Sequence, residues 1–241
     1  MGVATFTLPS THPVCPQRRL VLVDTPGFDD TEEGERETLR KISVWLASVY
    51  ESRDLKVKVA GLVYLHSIGQ VRMAGSALLS YELFRSICGP IALRSVVMAS
   101  TQWETVLFNP SAGPVREGEL KEFWKEALDQ GAIYRRIDVK EPKRDTNDII
   151  EYIVEKHTVA VQIQKELVEL GKRVAETEAA QKLKEKLESW LGDPQTKDLS
   201  QEKEEQLKEF PVDDGFVNRV KRLLRLKSDS SSPCVPPIES S

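Results

Sequence analysis

An α/β domain built on a mostly parallel sheet, followed by a long helical extension, is the architecture this 241-residue sequence predicts. Three observations carry that prediction. Short aliphatic runs alternate with amphipathic helical stretches up to about residue 145, the pattern of βα units joined by right-handed crossovers. The run Leu20-Val21-Leu22-Val23 reads as a strand covered on both faces. From about Thr146 onward the periodicity becomes helical and stays so.

Taken in order, residues 3–8 predict an edge strand that Pro9 ends, and the Ser, His and Pro cluster up to Pro16 predicts a loop. The strand over 20–23 follows. Residues 32–50 predict a helix with Leu39, Ile42, Leu46 and Val49 on one face and acidic residues at its start, where they complement the helix dipole. A second buried strand is predicted over 57–65. A helix over 77–87 is expected to stop at Cys88-Gly89-Pro90. Residues 95–99 make the third strand, and 117–129 a helix with Leu120, Phe123, Trp124 and Leu128 inward. A short fourth strand covers 133–137. Ile149, Ile153, Val159, Ile163, Leu167, Leu170 and Val174 then supply an apolar helical face, continued over 179–191 with many Glu and Lys.

The expected organisation is a truncated α/β domain over 1–158 that starts at its second strand, a long helix over 159–191, a linker with a short basic amphipathic helix over 192–227, and a disordered tail over 228–241. With 40% hydrophobic and 30% charged residues, the chain has the material for one such domain and an appendage. A formal net charge of -4 leaves no footprint for nucleic acid. Cys15, Cys88 and Cys234 lie far apart without CxxC spacing, so they predict free thiols rather than a disulfide framework or a zinc site. No basic region followed by an apolar run opens the chain, Phe6 stands where a myristoylation signal wants Ser or Thr, and no stretch approaches the roughly twenty apolar residues of a membrane span. A soluble cytoplasmic protein is the expectation.

The densest chemical signal is Asp24-Thr25-Pro26-Gly27-Phe28-Asp29-Asp30. In an open α/β sheet ligands gather beyond the carboxyl ends of strands, and Asp24 stands at such an end. Its carboxylate suits a magnesium ion, reached through a water, while Gly27 lets a backbone NH come close to a terminal phosphate. Thr25-Pro26-Gly27 makes a tight, rigid turn. The bland alternative is a strand-to-turn boundary without a ligand. No GxxxxGK[ST] phosphate loop is spelled anywhere in the chain. Gly69 to Gly75-Ser76 has one residue too many between its glycines and no lysine, and Gly171-Lys172 has no partner glycine. Half of a nucleotide site is what these residues spell.

The string from Asp24 to Asp30 is joined, in order, by Val63-Tyr64-Leu65-His66-Ser67-Ile68 with Arg72-Met73 and Gly75, by Leu83-Phe84-Arg85 with Cys88-Gly89, and by Ser95-Val96-Val97 leading to Thr101-Gln102-Trp103. This set resembles the fungal P-loop GTPase-like proteins that carry a G domain, relatives of the AIG-type and septin-like GTPases. The resemblance implies a partial Ras-like P-loop NTPase domain of three layers, binding GTP with magnesium. It implies Asp24, Thr25 and Gly27 at the magnesium and γ-phosphate end, with Asp24 on the metal, and Thr101, Trp103 and Glu104 where guanine is recognised. The Asn/Thr-Lys-x-Asp pattern of that base site is not kept, and Glu104 is the residue left to substitute for its carboxylate. The phosphate loop, first strand and first helix of such a domain are not in this sequence, and two readings stay open: a natural protein that is longer, or a shortened chain that is genuine. A Ras-like sheet without its first strand is expected to have a gap, met either by pairing 20–23 directly with 59–64 in a repacked core or by a marginally stable arrangement that exposes apolar edges.

Trp103 is read either as a stacking surface for a base or as core. His66 and Arg72 are read either as phosphate-facing or as a partly buried histidine and an arginine paired with Asp29 or Glu32. Ser67 and Gln70 depart from the arginine and acidic residue of close relatives. Ile163, Leu167, Leu170 and Val174 form a heptad seam that serves either packing against the domain or a protein partner and self-association through 159–191. Val217, Val220, Leu223 and Leu224 among Arg219, Lys221, Arg222, Arg225 and Lys227 suit a partner or, less well, a peripheral membrane surface. Two functions follow: a GTP-binding switch with weak or no turnover in this form, and a non-catalytic interaction module working through the carboxyl-terminal helices.

Overall fold

The structure is a computed structural model, and it describes residues 4–9, 19–28, 34–51, 58–70, 75–109 and 111–191. The linker, the basic run 217–227 and the tail lie outside the described residues. Among the described residues there are two sheets. Strands β1 (Ala4–Pro9) and β2 (Arg19–Asp24) pair antiparallel, with Phe6 opposite Leu22. Strands β3 (Leu62–Ser67), β4 (Val96–Thr101) and β5 (Ile133–Arg136) form a parallel sheet in the order β3-β4-β5. The α/β class and the parallel sheet are therefore as predicted. β2 joins no ladder with β3, so of the two arrangements expected for 20–23 the direct pairing with the next strand is not the one adopted.

One expectation about β2 is corrected. Val21 and Leu22 are 45% and 39% exposed, so this aliphatic run is not covered on both faces. A run of Leu and Val specifies extended backbone. Its burial is set by neighbouring layers, and among the described residues β1 is the one strand it pairs with.

The parallel sheet has two unlike faces. Tyr64 and Met98 point into the main core, joined there by Leu79, Leu83 and Ile87 from α2 (Ser76–Ala92) and by Leu120 and Trp124 from and after α3 (Ala112–Phe123). Helix α4 (Lys125–Asp129) adds Ala127 before β5. On the other face Val97 and Ala99 pack under Ile149 of α5 (Pro142–Val154). Val63 and Leu65 stand opposite Val97 and Ala99 and so share that face, yet both are exposed, Leu65 by 60%. Helix α5 covers the middle of the sheet and leaves the β3 column open.

Helix α1 (Glu35–Glu51) buries Leu39, Ile42, Leu46 and Val49, the stripe its 3.6-residue period predicts. Helix α2 passes through the predicted stop at Cys88-Gly89-Pro90. Gly89 takes φ 70, ψ 164, a kink, and the helix resumes to Ala92. Proline is tolerated there because it begins the second segment, where its missing NH has no partner to lose. A Cβ on Gly89 would stand 2.6 Å from the Cβ of Gln162. Gly89→Ala is expected to destabilise by at least about 2 kcal/mol, from the left-handed backbone and from the clash together, read as a lower urea midpoint with an unchanged slope.

The single long helix expected over 159–191 is also corrected. A short α6 (Gln162–Gln164) runs into a π-helical turn (Lys165–Glu169), Gly171 turns with φ 65, a 3-10 turn follows at Val174–Glu176, and α7 (Glu178–Leu191) begins afresh. Buried Glu166 explains the restart. Its carboxylate accepts from the backbone NH of Glu178 at 3.2 Å and from Lys172 Nζ at 2.7 Å, placing negative charge at the start of α7. Helix α7 lies along α2 and α1 with Ala179, Ala180, Leu183 and Leu187 buried. Of the heptad seam, Ile163 is buried and Leu170 exposed, so it does not form one continuous stripe. Among the described residues, no helix is long and apolar enough to cross a membrane.

Candidate functional site

The carboxyl ends of β3, β4 and β5 converge on one rim, the place where an open parallel sheet offers backbone groups and loop side chains to a ligand. At the end of β3, Ser67 Oγ donates to Gln102 Oε1 at 2.6 Å and accepts from the Gly69 NH at 3.1 Å. The Ile68 NH donates to the Thr101 carbonyl at 2.9 Å, extending the β3–β4 ladder past its last strand residue. Gln102 adopts a left-handed backbone, φ 57 and ψ 41. For a residue with a Cβ this conformation is uncommon, and it turns the chain sharply into the 3-10 turn Trp103–Val106. Thr105 holds the turn, its Oγ1 donating to the Gln102 carbonyl at 2.8 Å.

Three of the sequence-predicted residues meet at this rim. Thr101 is partly buried, with Oγ1 donating to the His66 carbonyl at 3.3 Å. Glu104 is exposed. Trp103 is only 3% exposed, and its Nε1 donates to Ser100 Oγ at 3.0 Å. Of the two readings of Trp103, core is the one the packing supports.

Asp24, Thr25 and Gly27 sit elsewhere, directly after β2 of the antiparallel pair. Pro26 and Phe28 are buried, Phe28 within the main core, while Asp24, Thr25 and Gly27 are exposed. Burial thus alternates along the turn, pinning it at Pro26 and Phe28 and turning Asp24 and Gly27 to solvent. Among the described residues no ladder links this turn to the rim of the parallel sheet.

His66 does not face a phosphate site. It is buried on the core side of β3, with its ring edge-on to Trp124 at 5.9 Å between centroids. Arg72, with the Asp29 and Glu32 proposed as its partners, lies outside the described residues.

The residue that sequence reasoning missed is Arg136, at the end of β5. Its guanidinium carbon lies 3.6 Å from the centroid of the Trp103 ring, and NH2 donates to Asp138 Oδ2 at 2.6 Å. Strand parity held the signal. Arg136 pairs with Ser100, the residue that receives the Trp103 NH, so the register alone places the arginine beside the indole. Asp138 is fixed in turn: its NH donates to Asp145 Oδ2 at 2.7 Å and its Oδ1 accepts from the Lys140 NH at 3.0 Å. The Lys140 NH and the Arg136 guanidinium hold the Asp138 carboxyl below its usual pKa. Tyr134 has its hydroxyl pushed up to about 12 by burial, against the opposing hydrogen bond with Ser100 at 2.6 Å.

A magnesium ion is bound in nucleotide sites through one or two carboxylates, waters and the phosphates themselves. Asp24, exposed on an anchored turn, fits the carboxylate of such a set. Among the described residues no group of three or more His, Cys, Asp or Glu side chains is placed to hold a metal ion alone. No protein-family model matches the chain, and no curated protein matches it.

Proposed function

We propose that this chain is a guanine-nucleotide-binding domain of the Ras-like P-loop GTPase class whose phosphate loop its 241 residues do not spell. The observation that carries the reading is the Asp24–Phe28 turn, in which buried Pro26 and Phe28 hold Asp24 and Gly27 outward after a strand. In that reading Asp24 meets the metal through a water, the Gly27 NH faces the terminal phosphate, Thr25 lines the same turn, and Thr101 and Glu104 form the base end, with Trp103 buried beneath them. The bound magnesium would neutralise charge on the phosphate oxygens. The chain's own part is to position: a rigid turn at one end, a rim at the other.

Among the described residues no strand pairs with the outer edge of β3, which supports the same reading. A further parallel strand beside β3, with a right-handed crossover running away from β4, lays its helix on the face that α5 occupies. Val63 and Leu65, exposed there, are the residues such a helix would cover. A strand, phosphate loop and helix of this kind would complete both sheet and site.

Without that loop most of the affinity for the β-phosphate has no source. Full-length chain titrated with fluorescent GTP and magnesium is expected to bind with Kd of about 1 mM, where only about 4 kcal/mol of binding remains. Chelating magnesium or making Asp24→Ala should weaken GTP binding, and the two effects should not add. Turnover should be at background. Magnesium-independent binding that Asp24→Ala leaves unchanged would remove Asp24 from the metal and refute the reading. The competing role as an interaction module has less support, since α7 already spends its apolar face on α1 and α2.

A further inference from the structure

We infer that Arg136 is a preformed shelf on which the planar base of a guanine nucleotide stacks, a role for β5 that rests on the nucleotide reading above. The geometry is specific. At 3.6 Å from the ring centroid the guanidinium lies in face contact with the indole of Trp103, far inside the roughly 6 Å limit of a cation–π pair. One face of the guanidinium is thus taken by a buried ring. With 43% of its side-chain surface open, Arg136 stays accessible to solvent although one face lies on the indole.

The shelf is rigid from below. Trp103 is held at its nitrogen by Ser100 and along its ring by Gly113, where an added Cβ would stand 3.2 Å from Cζ3. Asp138 accepts from Arg136 at 2.6 Å and is itself tied to Asp145. A long, charged side chain on a surface ordinarily sacrifices rotamer freedom on binding a ligand. Here that freedom is already restrained, so a base landing on the outer face gains stacking at little further ordering cost.

The chemistry selects a planar ring over a simple anion. Asp138 already neutralises the guanidinium, leaving its flat, weakly hydrated outer surface as the feature on offer. Exposed Glu104, one residue beyond Trp103, supplies an acceptor on the same rim for the ring NH and amino groups of guanine, donors that adenine does not present in that arrangement. The buried indole therefore takes part in base binding only indirectly, as the bed of the arginine.

The test uses guanosine, which carries no phosphate, added to the full 241-residue chain and followed by saturation-transfer NMR and by tryptophan fluorescence. Saturable guanosine binding is expected, stronger than adenosine binding. Both Arg136→Ala and Arg136→Lys should weaken it about tenfold, because lysine keeps the charge and loses the plane. The nucleoside-dependent change in fluorescence should vanish in Trp103→Phe. Circular dichroism melts of each variant confirm that the fold persists. Guanosine binding of equal strength in the parent and both Arg136 variants overturns the shelf and leaves the nucleotide reading standing. Loss in Arg136→Ala with retention in Arg136→Lys, or displacement of guanosine by pyrophosphate, also overturns it, since either marks an anion site. Absence of binding by both guanosine and magnesium-GTP removes the nucleotide reading and the shelf together.

Discussion

Replacing Leu183 and Leu187 together by alanine is expected to lower stability by about 4–8 kcal/mol and to detach α7 from the domain. Both side chains are almost fully buried, one turn apart, on the stripe that α7 presents to α2 and α1. Burying one leucine and then truncating it typically costs about 2–5 kcal/mol, the lost transfer energy plus the cavity left behind. The two share neighbours, so their effects should fall short of or exceed a simple sum. The total approaches the about 5–15 kcal/mol that holds a whole domain. Urea unfolding followed by circular dichroism, with amide hydrogen exchange across α7, measures it. The expected result is a much lower midpoint, with exchange protection lost first in α7 and its receiving face on α2. A doubly substituted protein that unfolds at the parent midpoint would show that α7 contributes nothing to the domain, and would return its apolar stripe to the role of a partner-binding surface.

The reason α7 was legible and its beginning was not lies in what periodicity can report. Ala179, Ala180, Leu183 and Leu187 recur at helical spacing and are buried as that spacing requires. The apolar positions before them also recur, but Gly171 at φ 65 and the capping of α7 by Glu166 break the rod into pieces. A carboxylate twelve residues before the helix start it caps, as Glu166 is to Glu178, leaves no local pattern. The same limit explains β2. Leu20 to Val23 correctly announced a strand, while the number of layers over it depends on segments distant in sequence. At Gly89-Pro90 the breakers are visible in the sequence but do not stop the helix, because a glycine joint followed by proline ends one helical segment and starts the next.

The candidate site divides in a similar way. The turn from Asp24 to Gly27 and the segment from Thr101 to Glu104 were found because each concentrates unusual residues over a few positions. Arg136 stayed hidden, since its importance comes from cross-strand register with Ser100 and from contact with an indole 33 positions earlier in the numbering, Trp103. Of the two readings of His66 the buried histidine is the one observed. Its parity with Tyr64 turns it into the core.

Trp124→Ala is expected to cost about 3–5 kcal/mol, the largest effect of any single truncation in the sheet's main core. Trp124 is wholly buried, and its ring meets Tyr64 edge-on at 6.1 Å, His66 edge-on at 5.9 Å and Tyr134 at 6.2 Å. Those three residues belong to both edge strands of the parallel sheet, so one side chain ties β3 and β5 across β4. Losing it opens a cavity beneath the full width of the sheet, whereas a cavity beside a single helix can partly collapse. Trp124→Phe separates the ring from its nitrogen. The Nε1 donor finds no hydrogen-bond partner within the described structure, so phenylalanine removes an unsatisfied buried donor while keeping an aromatic face. Its loss of stability should accordingly be smaller than that of alanine, measured in the same denaturant series. Equal losses would mean that the indole's outer ring, rather than aromatic contact as such, bridges the strands. The rim rests on this core: Ser100 and Arg136 are on strands that Trp124 holds in register, so Trp124→Ala should also weaken guanosine binding at Arg136, and Trp124→Phe should restore it.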